Sequence, residues 1–216
     1  MAYTLPDGSK LFLGTTFGAP IAVTAVSNAS AAIASAAGHG LAAKAPFVFT
    51  SGWEDANDRI FRVASPLAGT FEIEGLDSSN ANLFTPLGGV GTVKPITGWQ
   101  EIQQVLNPST SGGEQQFATV EPLAKRNAIQ IPTGFSPMSV TIPIGDDPTL
   151  PGYIALKAAS DARDIRPLRI QKPNGAVNYF FGYVSLNEVP SLTKGQVDTV
   201  TATFALQGLP VRYAGS

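Results

Sequence analysis

The sequence predicts a mainly β chain: an antiparallel β-sandwich or barrel with one packed α-helix, plus a small all-β inserted domain. Three observations carry that expectation. Short apolar runs alternate with polar residues at period two along most of the chain, the mark of half-buried strands. A single stretch, after Asp146-Asp147-Pro148, carries helix signals. Charged residues make up 14% of the sequence, against roughly a quarter in typical soluble domains, which fits either a surface covered in an assembly or a β-protein rich in Thr, Ser and Gly.

The first strand is Leu11-Phe12-Leu13, broken at Gly18-Ala19-Pro20. Ile21–Val26 is a second, rich in β-branched residues. The Ala-rich run Asn28–Ala43 has helix propensity, but it lacks a stripe of large residues at helical spacing. Gly38 and Gly40 bracket His39, and a strand followed by a turn is the better reading. Phe47–Thr50, Ile60–Val63 and Thr70–Glu74 alternate cleanly, and Asp77–Asn80 closes the group. Residues 20–83 therefore read as a small barrel of about five short strands. It is set into a larger β-sandwich domain built from residues 1–19 and 84–216.

After the connector Leu83–Gly91, a longer β-pattern runs through Val93, Ile96 and Trp99–Leu106. Asn107–Gln116 contains no apolar residue and reads as a long flexible loop. Phe117–Val120 and Ala128–Ile131 are strands on either side of Pro122, Lys125 and Arg126, and Met138–Ile144 is another. Asp146-Asp147-Pro148 is then expected to cap a helix over about Thr149–Ala162. Its apolar stripe would be Leu150, Tyr153, Ile154 and Ala158.

Leu168–Leu186 predicts a β-hairpin turning at Asn174-Gly175, a pair suited to a type I′ turn. Val177, Tyr179, Phe181 and Tyr183 share one face, and Phe180, Val184 and Leu186 the other. Large apolar groups on both faces imply cover on both sides, either wholly within the chain or partly by a neighbouring subunit. Pro190 ends that strand. In the last strand, Gln196–Leu206, the residues Val200, Ala202, Phe204 and Leu206 lie opposite Thr199, Thr201 and Thr203.

Chemistry is sparse. With net charge −2 there is no broad basic footprint for nucleic acid. With no Cys there is no disulfide, thiolate metal site or cysteine nucleophile. His39 is the sole histidine and has no histidine partner for a zinc site or a triad. Gly88–Thr92 lacks the Gly-Lys-Ser/Thr ending of a phosphate loop. Asp146 and Asp147 read as helix-capping acids rather than a catalytic pair. No enzyme, metal or cofactor is implied. The N-terminal residues lack a signal-peptide pattern, and the apolar run near Ile21–Ala37 is too polar to span a membrane. Synthesis in the cytoplasm is the expectation.

The order MSVTIPIGDDP, LPGYIALKAAS, RPLRIQKPNGAVNYFFGYVSLNEV and TFALQGLPVRY resembles the tail tube proteins of long-tailed bacteriophages, the lambda-like major tail protein family. The likeness covers a little over half the chain. Residues from about Ile21 to Leu83 are also similar to a small β-barrel module of phage virion proteins. Their pattern is similar to the first catalytic-cysteine half-domain of ubiquitin-activating enzymes, whose chemistry cannot carry over without a Cys. Lys44-Ala45-Pro46 stands where that module usually has a Gly-Asp turn.

The tail tube resemblance implies a virion protein that forms homo-oligomeric rings, hexameric as in the family, stacked into a flexible, sheathless tube through which DNA transits during genome ejection. Tape-measure, terminator and tip proteins would be its partners, and the small module would project outward. On that basis the ring-stacking loop would use Asn107, Ser109, Ser111, Gly112, Gly113 and Glu114. Inter-subunit contact would use Asn174, Gly175, Phe180, Gly182 and Val184, with Gly182 admitting a neighbour's backbone. A channel that conducts DNA should be neutral or acidic, which nominates Glu101, Glu114, Glu121 and Asp198 for the lumen. The alternative is a virion surface decoration or host-binding protein, using a face around Trp53 and Trp99.

Overall fold

The computed structural model describes residues 6–215; the first residues of the expected 1–19 segment therefore lie partly outside the described range. Among the described residues the first strand is β1 (Lys10–Phe17), and a small barrel begins with β2 (Ile21–Val23), β3 (Ala25–Val26) and β4 (Ile33–Ser35). β5 (Pro46–Ser51), β6 (Arg59–Ala64) and β7 (Thr70–Ile73) follow, and the barrel is completed by the long strand β8 (Gly91–Ile102), which lies beyond residues 20–83. Its strand order, β3-β4-β7-β6-β5-β8, closes on itself because β2 also pairs with β8. The Ala-rich run is strand and turn, as its lack of helical periodicity predicts.

β8 serves two bodies. Its first half, Gly91–Pro95, pairs with β2 and β5 inside the barrel. Its second half, Ile96–Ile102, pairs with β1 in the larger sheet. The larger body then adds β9 (Ser109–Ser111), the paired strands β10 (Gln115–Val120) and β11 (Ile129–Phe135), and β12 (Ser139–Gly145). Helix α1 (Pro151–Asp161), β13 (Ile165–Gln171), β14 (Val177–Ser191), β15 (Thr199–Leu206) and β16 (Val211–Tyr213) complete it. Its sheet runs β8-β1-β13-β14-β15-β12-β9 and is antiparallel at every pairing. The sheet curls until its ends meet: Val105, just beyond β8, bridges Ile144 of β12, and the Leu106 N–H donates to the Pro143 carbonyl.

Two cores lie on opposite faces of β14. Phe180, Val184 and Leu186 point to the first core, with Leu13, Val140, Ile142, Phe204 and the helix residues Tyr153, Leu156 and Ala159. Tyr179, with Val177 and Phe181 beside it, points to the second, which fills the barrel with Phe47, Phe49, Trp53, Phe61 and Phe71. The two-faced strand is thus covered by the chain itself along its first half. On the barrel side the cover ends at Tyr183, which is 45% exposed.

The barrel is pinned to the sheet at β16. The Tyr213 hydroxyl accepts from the Arg62 N–H at 3.0 Å and donates to the Glu74 carbonyl at 3.0 Å. Arg62 bonds both oxygens of the Glu74 carboxylate, at 2.9 and 2.7 Å, and its guanidinium stacks on the Tyr213 ring at 3.7 Å.

Three local expectations are corrected. The helix starts at Pro151 with Leu150 as an uncapped N-cap, not at Asp146-Asp147-Pro148. Asp147 instead accepts from the hydroxyl and N–H of Thr149, which holds its carboxyl below the usual range. The buried helix face is Gly152, Tyr153, Leu156 and Ala159, while Ile154 is 53% exposed. The hairpin turn is not type I′. Only Gly175 has positive φ, Pro173 supplies the second turn position, and the Gly175 N–H donates to the Lys172 carbonyl. That is a three-residue loop with glycine at the left-handed position, and the Pro173 ring selects it over the two-residue form.

Burial pushes the phenols of Tyr213 and Tyr179 above their ordinary value. Unfolded tyrosine titrates near 10. The stability these groups contribute is present below that pH and lost as pH rises beyond it, because the unfolded chain then releases protons the folded chain keeps. Tyr213→Phe should cost about 1–3 kcal/mol in urea unfolding at neutral pH, since a buried N–H and carbonyl lose their partner. The loss of stability between about pH 10 and 11 should be shallower in that variant than in the parent.

Candidate functional site

The residues expected to form a stacking loop are largely ordered by backbone pairing. Ser109–Ser111 is β9, hydrogen-bonded to Ser139–Thr141 of β12, and the Ser111 hydroxyl meets the Ser139 hydroxyl at 2.8 Å. Only Asn107 and Pro108 precede it as loop. Gly112 and Gly113 both have φ near +80° and turn the chain out of the sheet. The Glu114 N–H donates to the Ser136 hydroxyl at 3.0 Å, and the Ser136 N–H to the Glu114 carbonyl at 2.8 Å. These bonds root a projection rather than a free loop.

The projection is the β10–β11 hairpin, a two-stranded sheet of its own. Its register places Ala118 opposite Ile131 and Val120 opposite Ile129, so these four share one face. Every residue of both strands is exposed. Phe117 and Phe135 lie uncovered on the same arm, and Leu123 at its tip is fully exposed. An isolated hairpin is at best marginal in water, and a bare apolar face of this kind marks a surface that a partner covers. The sequence shows both strands and their alternation; it does not show that the rest of the chain leaves them bare.

The hairpin residues nominated for inter-subunit contact fall in different places. Asn174 and Gly175 form the exposed turn, where the Asn174 side-chain oxygen accepts from the Ala176 N–H. Phe180 and Val184 lie in the core under the helix. Gly182 is buried opposite Leu206, and a Cβ placed on it would meet the Ala205 carbonyl. The close approach that this glycine permits is therefore made by the chain's own β15.

The four carboxylates nominated for a lumen do not converge. Glu101 lies on β8, paired with Lys10 at 3.2 Å. Glu114 is at the hairpin root, Glu121 follows β10 on the arm, and Asp198 immediately precedes β15. The exposed side of the sheet instead carries hydroxyls: Ser185, Thr203, Thr141 and Ser109 stand in one cross-strand row. Thr199 and Thr201 extend the pattern along β15. These threonines are visible in the sequence as the face opposite Val200, Ala202 and Phe204, but their alignment with serines of other strands needs the register.

The face proposed around Trp53 and Trp99 does not form. Trp53 is 1% exposed, and its indole N–H donates to the Thr85 carbonyl at 2.7 Å. Trp99 packs against the Arg169 guanidinium, 4.5 Å from the ring centre, and tilts toward Tyr179. His39 is a turn residue: Nδ1 accepts from the Leu41 N–H and Nε2 faces the Leu67 carbonyl at 2.7 Å. Among the described residues no cluster of His, Asp and Glu has the arrangement of a metal site, and no helix is long and apolar enough to cross a membrane.

Residues 51–215 match the family model described as phage tail tube protein, TTP. The matched region runs from the end of β5 through β16, so it includes the arm, the helix and the hydroxyl-bearing strands. The search of curated proteins finds no match.

Gly182→Val should destabilise the isolated subunit by about 1–3 kcal/mol, because the new side chain is forced against β15. The expected readout is a lower urea midpoint in the monomer. An unchanged midpoint would show that β14 and β15 separate easily at this point.

Proposed function

The chain belongs to the phage tail tube protein family, a structural component of the virion rather than an enzyme, and from that premise we propose that it polymerises into stacked rings, hexameric by analogy with such tubes, around a channel for DNA. The observation that carries the reading is the β10–β11 arm, whose apolar face of Val120, Ile129 and Ile131 has no cover within the subunit. In the tube, that face is buried against the next ring. The stacking contact first placed at Asn107–Glu114 thus extends outward, with Gly112, Gly113 and Glu114 setting the arm's direction.

Lateral contact within a ring uses sheet edges. β9 has β12 on one side and no strand on the other among the described residues. Its serines and threonine keep that edge soluble before assembly, whereas a long apolar edge would invite indiscriminate pairing. A neighbour's strand added there satisfies the open N–H and carbonyl groups without requiring new side-chain chemistry. The role in genome ejection follows from the channel, and terminator, tip and tape-measure proteins would set the tube's ends and length. The decoration or host-binding alternative loses its main support with the burial of Trp53.

Electron microscopy of concentrated protein should show rings or hollow tubes. A species that stays monomeric with its phage partners present would count against the proposal. Val120→Ser combined with Ile131→Ser should leave subunit stability within about 1 kcal/mol of the parent, as for exposed positions, yet abolish or sharply shorten tubes. Tubes of normal length from that variant would remove the arm from the stacking contact.

A further inference from the structure

The loop between β14 and β15 is bare and well shaped. It turns at Thr193–Gln196, where the Gln196 N–H donates to the Thr193 carbonyl and Gly195 takes a positive φ. A hydrogen-bonded turn with glycine at its left-handed position presets the tip. Val189, Leu192 and Val197 are all largely exposed on this loop. Lys194, at the tip, is exposed and takes part in no ion pair among the described residues. The nearest acids in the chain are Glu188, which pairs with Lys157, and Asp198 at the loop's base.

The other end of the same strands carries the complement. β15 starts beside the loop at Thr199 and ends at Leu206, about 24 Å away at the rise of a strand. There an open groove of about 330 Å³ lies between the barrel and the sheet. Its apolar lining is Phe135, Met138, Leu206 and Leu209, with Phe135 and Leu209 exposed. The barrel contributes Glu54 and Asp55, both exposed and neither in an ion pair among the described residues. Arg59 also lines the groove, but its guanidinium is turned to carbonyls. Its Nε donates to Leu209 at 3.3 Å and its Nη1 to Asp55 at 2.8 Å. Two carboxylates are thus left facing an apolar groove.

Resting on the tube reading above, we infer that this groove receives the β14–β15 loop of a second copy of the chain in the next ring, with Leu192 on the apolar lining and Lys194 against Glu54 and Asp55. Charge and placement select this occupant. The loop tip is apolar with one cation, and the groove is apolar with two free acids. The arm also ends in an exposed Leu123 beside Lys125 and Arg126. However, it is rooted at the groove's own end, where Phe135 lines the groove. A copy stacked along the strands presents its opposite end, which is the loop. Knob and socket on opposite ends of one subunit make a head-to-tail contact, and such a contact repeats without closing. The barrel, through Glu54 and Asp55, becomes half of a stacking joint separate from the arm. Each joint is weak alone and gains from repetition around a ring.

The chain has no cysteine, which permits a direct test. Tubes of the Glu54→Cys/Lys194→Cys variant are treated with a short bis-maleimide, too short to join the two positions within one subunit. The expected result is a long ladder of covalent multimers on a denaturing gel, absent from dissociated subunits and from either single variant. Tubes that give no ladder, or one that stops at the number of subunits in a ring, overturn the inference and leave the tube in place. A ladder from Glu54→Cys/Leu123→Cys in place of the first pair also overturns it, because the arm then fills the groove. Failure of the parent chain to form tubes overturns the tube reading, and this inference with it. In a second arm, Lys194→Glu should lose tubes at low salt with an unchanged urea midpoint of the monomer. Adding Glu54→Lys and Asp55→Lys to that chain should restore them. Normal tubes from Lys194→Glu, or no recovery in the swapped chain, overturns the pairing of Lys194 with the two carboxylates.

Discussion

The register of β14 is the constraint on which the two cores depend. Successive side chains of a strand point to opposite faces, and here each face has a different destination. Phe180, Val184 and Leu186 complete the layer beneath the helix. Tyr179 and its neighbours Val177 and Phe181 close the mouth of the barrel. A slip of one residue would exchange the two sets, pushing Tyr179 under the helix and Phe180 into the barrel. The three-residue loop at Pro173–Gly175 and the close packing of Gly182 on Ala205 both hold that register.

β8 imposes the complementary constraint. One strand closes the barrel and opens the larger sheet, so barrel and sheet share continuous backbone pairing as well as packing. The Arg62–Glu74–Tyr213 cluster adds a second attachment on the far side. With so few charged residues, several ion pairs serve internal joints: Arg62 with Glu74, Arg166 with Asp164 at 2.6 Å, and Lys157 with Glu188 between helix and sheet. What is left outside is hydroxyl-rich on the sheet and apolar on the arm. A subunit with such surfaces gains from association, and the family to which it belongs is one of assembling tubes.

Much of this was legible in the residues, and the failures have local causes. The Asn-Gly pair marked the turn correctly, but Pro173 one place earlier decided its type by fixing the preceding φ. The Asp-Asp-Pro signal announced a helix that begins three residues later, because Pro151 can serve at N1 and Thr149 captured the Asp147 carboxylate. Asn107–Gln116 looked unstructured for want of apolar residues. An edge strand needs only backbone partners, and β12 supplied them. Trp53 looked available for binding because it stands in a polar segment. Phe84 and Thr85, some thirty residues on, return to bury it.

The sequence by itself determined the class of the fold, the existence of nearly every strand, the single helix and the kinship with tail tubes. The class, the strands and the helix rest on period, propensity and turn chemistry, which act over a few residues; the kinship rests on the resemblance of the ordered segments between Met138 and Tyr213. Only the tertiary structure decided which faces are covered, because burial depends on segments far apart in the chain. It placed the two faces of β14 against two different cores, left the apolar face of the β10–β11 arm with none, and aligned Ser185, Thr203, Thr141 and Ser109 into one uncharged row. That last arrangement is a property of register between strands, and no single stretch of the chain contains it.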